Sequence, residues 1–122
     1  MDSREEEDCA QQARAEQQLR IRQLNDRLRS KYKGGYHCMT SGVVALGYDT
    51  VRAIQQAVGA FSDFNGDNDP YNEHDFGSLT VAGHQVFWKI DYYDENSEYG
   101  SPDPSDPSVT SRYLTIMLAH EY

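Results

Sequence analysis

The chain has 122 residues, with 20 Asp and Glu against 11 Lys and Arg, a formal net charge of −9 and 38% hydrophobic residues. That length supports one domain with a modest core, and a mean hydropathy of −0.80 implies some poorly packed polar chain beside it. No apolar run approaches the roughly 18 residues of a membrane span, and the acidic start lacks an apolar signal core. Cys9 and Cys38 form no disulfide framework, which points to a reducing compartment. The expectation is a soluble, cytoplasmic protein.

Taken in chain order, Met1–Asp8 is acidic and expected to fray. Cys9–Lys31 is rich in Gln, Ala, Arg, Glu and Leu, good helix formers, and Ile21, Leu24, Leu28 and Tyr32 follow helical spacing. Gly34-Gly35 ends the helix. Eight of the eleven bases lie within Met1–Lys33, against seven acids, a local net of +1. The other 89 residues carry three bases and thirteen acids, a net of −10. The chain thus divides into a charged N-terminal tail and helix, 1–33, and a single acidic domain, 34–122.

Within that domain Tyr36–Thr40 reads as a short strand. Asp49 or Thr50 offers an N-cap for a helix to about Ala60, with Val51, Ile54, Ala57, Val58 and Phe61 on its apolar side. Ser62–Asp75 is a loop of turn residues. Phe76–Tyr93 alternates with period two, predicting a β-hairpin that turns near Gly83-His84, with Val81 opposite Val86 and Leu79 opposite Trp88. A second polar loop spans Asp94–Pro104. Asp106-Pro107 then supplies an N-cap and a first-turn proline for a helix to about His120, burying Val109, Tyr113, Ile116, Met117 and either Leu114 or Leu118. The expected fold is α+β, a small antiparallel sheet built on the hairpin and packed against two or three helices.

The candidate chemistry is sparse. Counted from Asp63, the calcium-loop pattern has oxygen ligands at its first, third and fifth positions, but Asn68 replaces the turn glycine and His74 the final glutamate. Glu73, His74 and Asp75 offer metal ligands or a general base, yet adjacent residues on an extended chain point to opposite faces. Neither a G-x-S-x-G turn nor a phosphate loop is present, and Cys38 sits in an apolar strand where thiols are inert. No catalytic residue, metal or cofactor is assigned. Arg20 and Arg27 share one strip of the first helix, Arg22 and Arg29 another, so DNA binding by that helix is an alternative. The net charge opposes it.

The acidic domain carries the leading expectation. Between Phe61 and Asp106 lie eleven acids and a single base, Lys89. The carboxylates fall in two loops interleaved with tyrosines, a composition suited to steering toward and anchoring a basic partner. Asp67, Asp69, Glu73, Asp75, Asp94, Glu95, Glu98 and Asp103 are the expected partner-binding residues of a monomer that touches neither membrane nor nucleic acid directly. Asp91, inside the second hairpin strand, is expected to face away from the core.

The segments GGYHCMTSGVVAL, DNDPYNEHDFG, VFWKIDYYD and YGSPDPSDPSVTSRYLTIMLAHEY are similar to an uncharacterised family of small proteobacterial proteins. The resemblance runs from about Leu24 to Tyr122 and leaves the start of the chain outside it. It implies a domain of unknown function whose members occur on plasmids, prophages and other mobile regions, and it supplies no reaction or cofactor. Mobile elements carry small acidic inhibitors of restriction and CRISPR systems. The resemblance and the charge together imply an anti-defence inhibitor, a DNA mimic that blocks a basic nucleic-acid-binding surface.

Overall fold

A computed structural model describes residues 3–122; Met1 and Asp2 of the acidic start lie outside the described residues. These form helix α1 (Ser3–Lys31), strand β1 (Tyr36–Met39), helices α2 (Ser41–Val44) and α3 (Tyr48–Ala60), and strands β2 (Phe76–Val81), β3 (His84–Tyr93) and β4 (Ser111–Leu118). Single 3-10 turns cover Pro107–Val109 and Ala119–Glu121. The sheet order is β1-β4-β3-β2, with β1 and β4 parallel and the other pairs antiparallel. The fold is α+β, and its sheet is mixed rather than wholly antiparallel. Among the described residues no helix is long and apolar enough to cross a membrane.

The expected C-terminal helix is instead an inner strand, β4. Asp106 does cap a turn, its carboxylate accepting from Ser108 N at 2.9 Å, and Pro107 opens that turn. The turn lasts only to Val109. Arg112, Leu114, Ile116 and Leu118 then bury at period two. Tyr113, Thr115 and Ile116 suit a pleated surface, and the edges of β1 and β3 supply backbone partners on both sides. Arg112 hid the alternation, because a charged residue at a core position reads as surface.

Other elements follow the sequence closely. α1 already starts by Ser3, so the acidic stretch from there is helical rather than frayed. Its end falls at Tyr32, which itself takes the left-handed conformation (φ 57) two residues before Gly34 (φ 89) and is half-exposed. Thr40 caps α2 instead of extending β1, and Gly47 precedes α3, leaving Asp49 in the first turn where its charge favours the helix dipole. Ile54 and Val58 are fully buried beneath it.

The hairpin forms with Ala82 (φ 51) and Gly83 (φ 82) as its two turn residues, the conformation of a type I′ turn. Leu79 consequently pairs with Val86, and Gly77 with Trp88. This register differs by two residues from the expected one, so every side chain keeps its face. All three helices pack on the face formed by Val86, Trp88, Ile90, Leu114, Ile116 and Leu118, together with Leu28, Val43, Ile54 and Val58.

Gly77 is required where Trp88 crosses it. A methyl there would overlap the indole Nε1 and Cε2. Gly77→Ala should cost about 2 kcal/mol through overpacking, read as a lower urea midpoint with an unchanged slope.

Candidate functional site

The buried stripe of α1 is only half apolar: Ile21, Asn25, Leu28 and Arg29. Asn25 is fully enclosed. Its amide donates to Glu73 O at 3.0 Å and contacts Tyr92 Oη at 2.8 Å, while its carbonyl accepts from Arg112 Nε at 2.6 Å. Arg112 also donates from its second terminal nitrogen to Pro104 O and lies 5.0 Å from the Tyr92 ring. Tyr92 Oη donates to Glu73 Oε1 at 2.9 Å. One polar network therefore joins α1, both acidic loops, β3 and β4. Burial lowers the Arg112 pKa and raises that of Tyr92, so the phenol stays protonated as a donor.

Arg29 sits under the other end of the first acidic loop. It donates to Val58 O at 2.8 Å and Phe61 O at 2.7 Å, tying the C-terminal end of α3 to α1. Its guanidinium lies 5.0 Å from the Trp88 ring and pairs with Asp26 at 3.0 Å. Asp26 in turn accepts His74 Nδ1 at 2.9 Å, and the His74 ring stacks on Phe64 at 3.7 Å.

Several predicted partner-binding residues hold the loops together. Asp69 is buried, and its Oδ1 accepts from the backbone of Glu73 (3.0 Å) and His74 (3.1 Å). Asn65 Oδ1 accepts from Asp67 N and Asn68 N, an Asx turn that engages one of the three side-chain oxygens a calcium loop would present to an ion. Glu73 faces Tyr92, whereas His74 faces Asp26 and Asp69. Among the described residues no three His, Cys, Asp or Glu side chains could hold a metal ion. Glu73 and Asp75 are half-buried, and desolvation raises both pKa values.

In the second loop Asp94 accepts from Glu98 N at 3.0 Å. Asp103 accepts from the Ser105 hydroxyl and from Gln17 of α1, contacts that lower its pKa. Asp67, Glu95 and Glu98 are exposed. Among the described residues Asp63, Asp67, Asp94, Glu95 and Glu98 form no ion pair. The α1 arginines that reach these loops donate to carbonyl oxygens instead, Arg20 to Ser105 O at 3.1 Å and Arg22 to Asn72 O at 3.4 Å. Asp91 lies on the outer face, paired with Lys89 at 2.9 Å.

Sequence reasoning missed Asn25, Asp26 and Arg112. The spacing of Asn25 with Ile21 and Leu28 was the available signal for one of them.

A cavity of about 480 Å³ lies elsewhere, between Tyr32, His37 and Met39 and the Arg52, Gln55 and Gln56 side of α3. Burial lowers the His37 pKa.

The model of a family described as "Protein of unknown function (DUF3768)" matches residues 39–121. The chain belongs to this family. The DUF3768 segment holds both acidic loops, the hairpin and β4, and leaves out α1, which supplies Asn25 to the network. No curated protein and no solved structure matches the chain significantly.

Arg112→Ala should destabilise the protein by about 3 kcal/mol, because it strands the Asn25 and Pro104 carbonyls in the interior; chemical denaturation measures this. Glu73 supplies a pH dependence. A carboxyl whose pKa is raised on folding contributes stability below its unfolded pKa and loses that contribution as pH climbs through the folded value. Glu73→Gln keeps the acceptor for Tyr92 but removes the buried charge. Its stability relative to the parent should therefore rise between about pH 4 and pH 7, followed by melting temperature across that range.

Proposed function

We propose that this chain is a non-enzymatic acidic binding protein that docks on the basic nucleic-acid-binding surface of a host defence complex, in the manner of an anti-CRISPR or anti-restriction DNA mimic. One observation carries the reading. The protein's own arginines bond to loop carbonyls and leave the carboxylates at the loop tips unpaired, so the basic helix fixes the acidic loops without neutralising their outer charges.

Two features favour binding over catalysis. The loops are pre-organised by Asp69, Asn65, Asp94 and Asp103, which lowers the ordering cost of association. The exposed carboxylates then accelerate encounter with a basic surface. The DNA-regulator alternative has less behind it, since Arg29 is buried and Arg20 and Arg22 are engaged with the loops. The metal-enzyme alternative would need Glu73 and His74 to leave separate partners.

The test is competition. Purified CRISPR surveillance complexes and restriction endonucleases are mixed with labelled DNA and increasing amounts of this protein. DNA should be displaced from a susceptible effector, and the inhibitor's affinity should fall by an order of magnitude or more between roughly 50 and 200 mM salt. Reversal of Asp67, Glu95 and Glu98 to Lys should restore DNA binding. An affinity indifferent to salt would overturn the electrostatic model.

A further inference from the structure

The helices cover one face of the sheet and leave the other open. On the open face Tyr36 stacks on Tyr113 with ring centroids 4.7 Å apart and planes 20° from parallel. Tyr93 meets Tyr113 edge-on at 5.5 Å. Tyr36 remains 55% exposed, although its ring belongs to a three-tyrosine cluster. A groove of about 440 Å³ opens beside it, between Gly34-Gly35 and the Pro107–Ser111 stretch. Of the three, Tyr36 is the exposed ring and the one that lines the groove, backed by the half-buried Tyr113 and Tyr93; an exposed tyrosine so supported is a usual anchor of protein interfaces.

The second acidic loop borders this cluster. Ser97 Oγ lies 2.9 Å from Tyr113 Oη, and Tyr93 bridges to Gly100. The turn that closes on the tyrosines therefore carries Asp94, Glu95 and Glu98. Asp91 is the cross-strand neighbour of Tyr113. The cation of this face, Lys89, is already held by Asp91.

Aromatic faces attract guanidinium groups, and nearby carboxylates accept their planar N–H forks. Nucleobases also stack on tyrosine, but the carboxylate border repels their phosphates. We infer that the Tyr36–Tyr113–Tyr93 face is the anchor for arginine side chains of the protein partner, with the turn at 94–98 as its charged rim. This rests on the acidic-docking reading, to which it adds a location and a preference for arginine over lysine.

The full chain is titrated by fluorescence anisotropy with labelled oligoarginine and oligolysine of equal length, and with oligothymidylate. Oligoarginine should bind about five- to tenfold tighter than oligolysine, the gain expected from one or two cation–π contacts. Tyr36→Ala should weaken oligoarginine more than oligolysine and so erase that preference, whereas Tyr71→Ala, on the other acidic loop, should preserve it. On the unaltered protein, oligoarginine should shift the amide NMR signals of Tyr36, Cys38 and Tyr113, a readout independent of how any variant folds. Equal, salt-sensitive affinity for both peptides would overturn the arginine anchor and leave acidic docking standing. Shifts confined to residues 62–75 would do the same. If neither peptide bound, the anchor and the acidic reading would fall together. Tighter binding of oligothymidylate than of oligoarginine would replace the inference with single-stranded nucleic-acid recognition.

Discussion

The guanidinium of Arg112 is withdrawn from water at the start of β4 and given partners from distant parts of the chain: the Asn25 amide of α1, the Pro104 carbonyl of the second acidic loop and the face of Tyr92. A cation in such a place is costly unless its donors are met. Asn25 extends the same demand to Glu73 O in the first loop. Both loops and the long helix are therefore fixed by one set of polar contacts, and a misplaced helix would leave buried donors and acceptors unmatched. That directional requirement sets the position of α1 more tightly than Ile21 and Leu28 could, since apolar packing tolerates sliding.

The acidic residues consequently divide by depth. At the base of the loops carboxylates serve the backbone: Asp69 holds the turn at 73–74, and Asp103 holds Ser105. At the tips Asp67, Glu95 and Glu98 have water as their environment. The net charge read from composition overstates the field at the surface, because part of it lies inward and Glu73 and Asp75 retain protons more readily than free carboxylates. What remains is fixed in place, which matters more for recognition than its sum.

Much of the fold was legible in the sequence wherever one periodicity stood alone. The hairpin, α3 and β1 each carried a clean pattern. The stretch from Val109 to Leu118 did not, because Val109, Tyr113, Ile116 and Met117 fit a helical face while Arg112, Leu114, Ile116 and Leu118 fit a strand. Only the sheet edges of β1 and β3 resolve that ambiguity, and sheet edges are tertiary information. The site was legible in outline, as two acidic loops. The inward turn of Asp69 was not, since burial of a carboxylate depends on backbone amides that its own loop presents after folding. The roles of Asn25 and Arg112 were hidden for the same reason: each is polar, and each satisfies a partner far along the chain.

The parallel pairing of β1 with β4 has a kinetic side. β2 and β3 close through a two-residue turn, a local step, whereas Tyr36 reaches Tyr113 only across most of the chain. Loop-closure entropy makes such a pairing late as well as slow. Until β1 docks, the flank of β4 is an open strand edge with unmet amides and carbonyls, the kind of surface on which chains pair with one another. The shortness of β1, four residues, limits how strongly that edge is sealed. The stacked pair Tyr36 and Tyr113 spans the seam and acts as a clasp on the last join of the sheet.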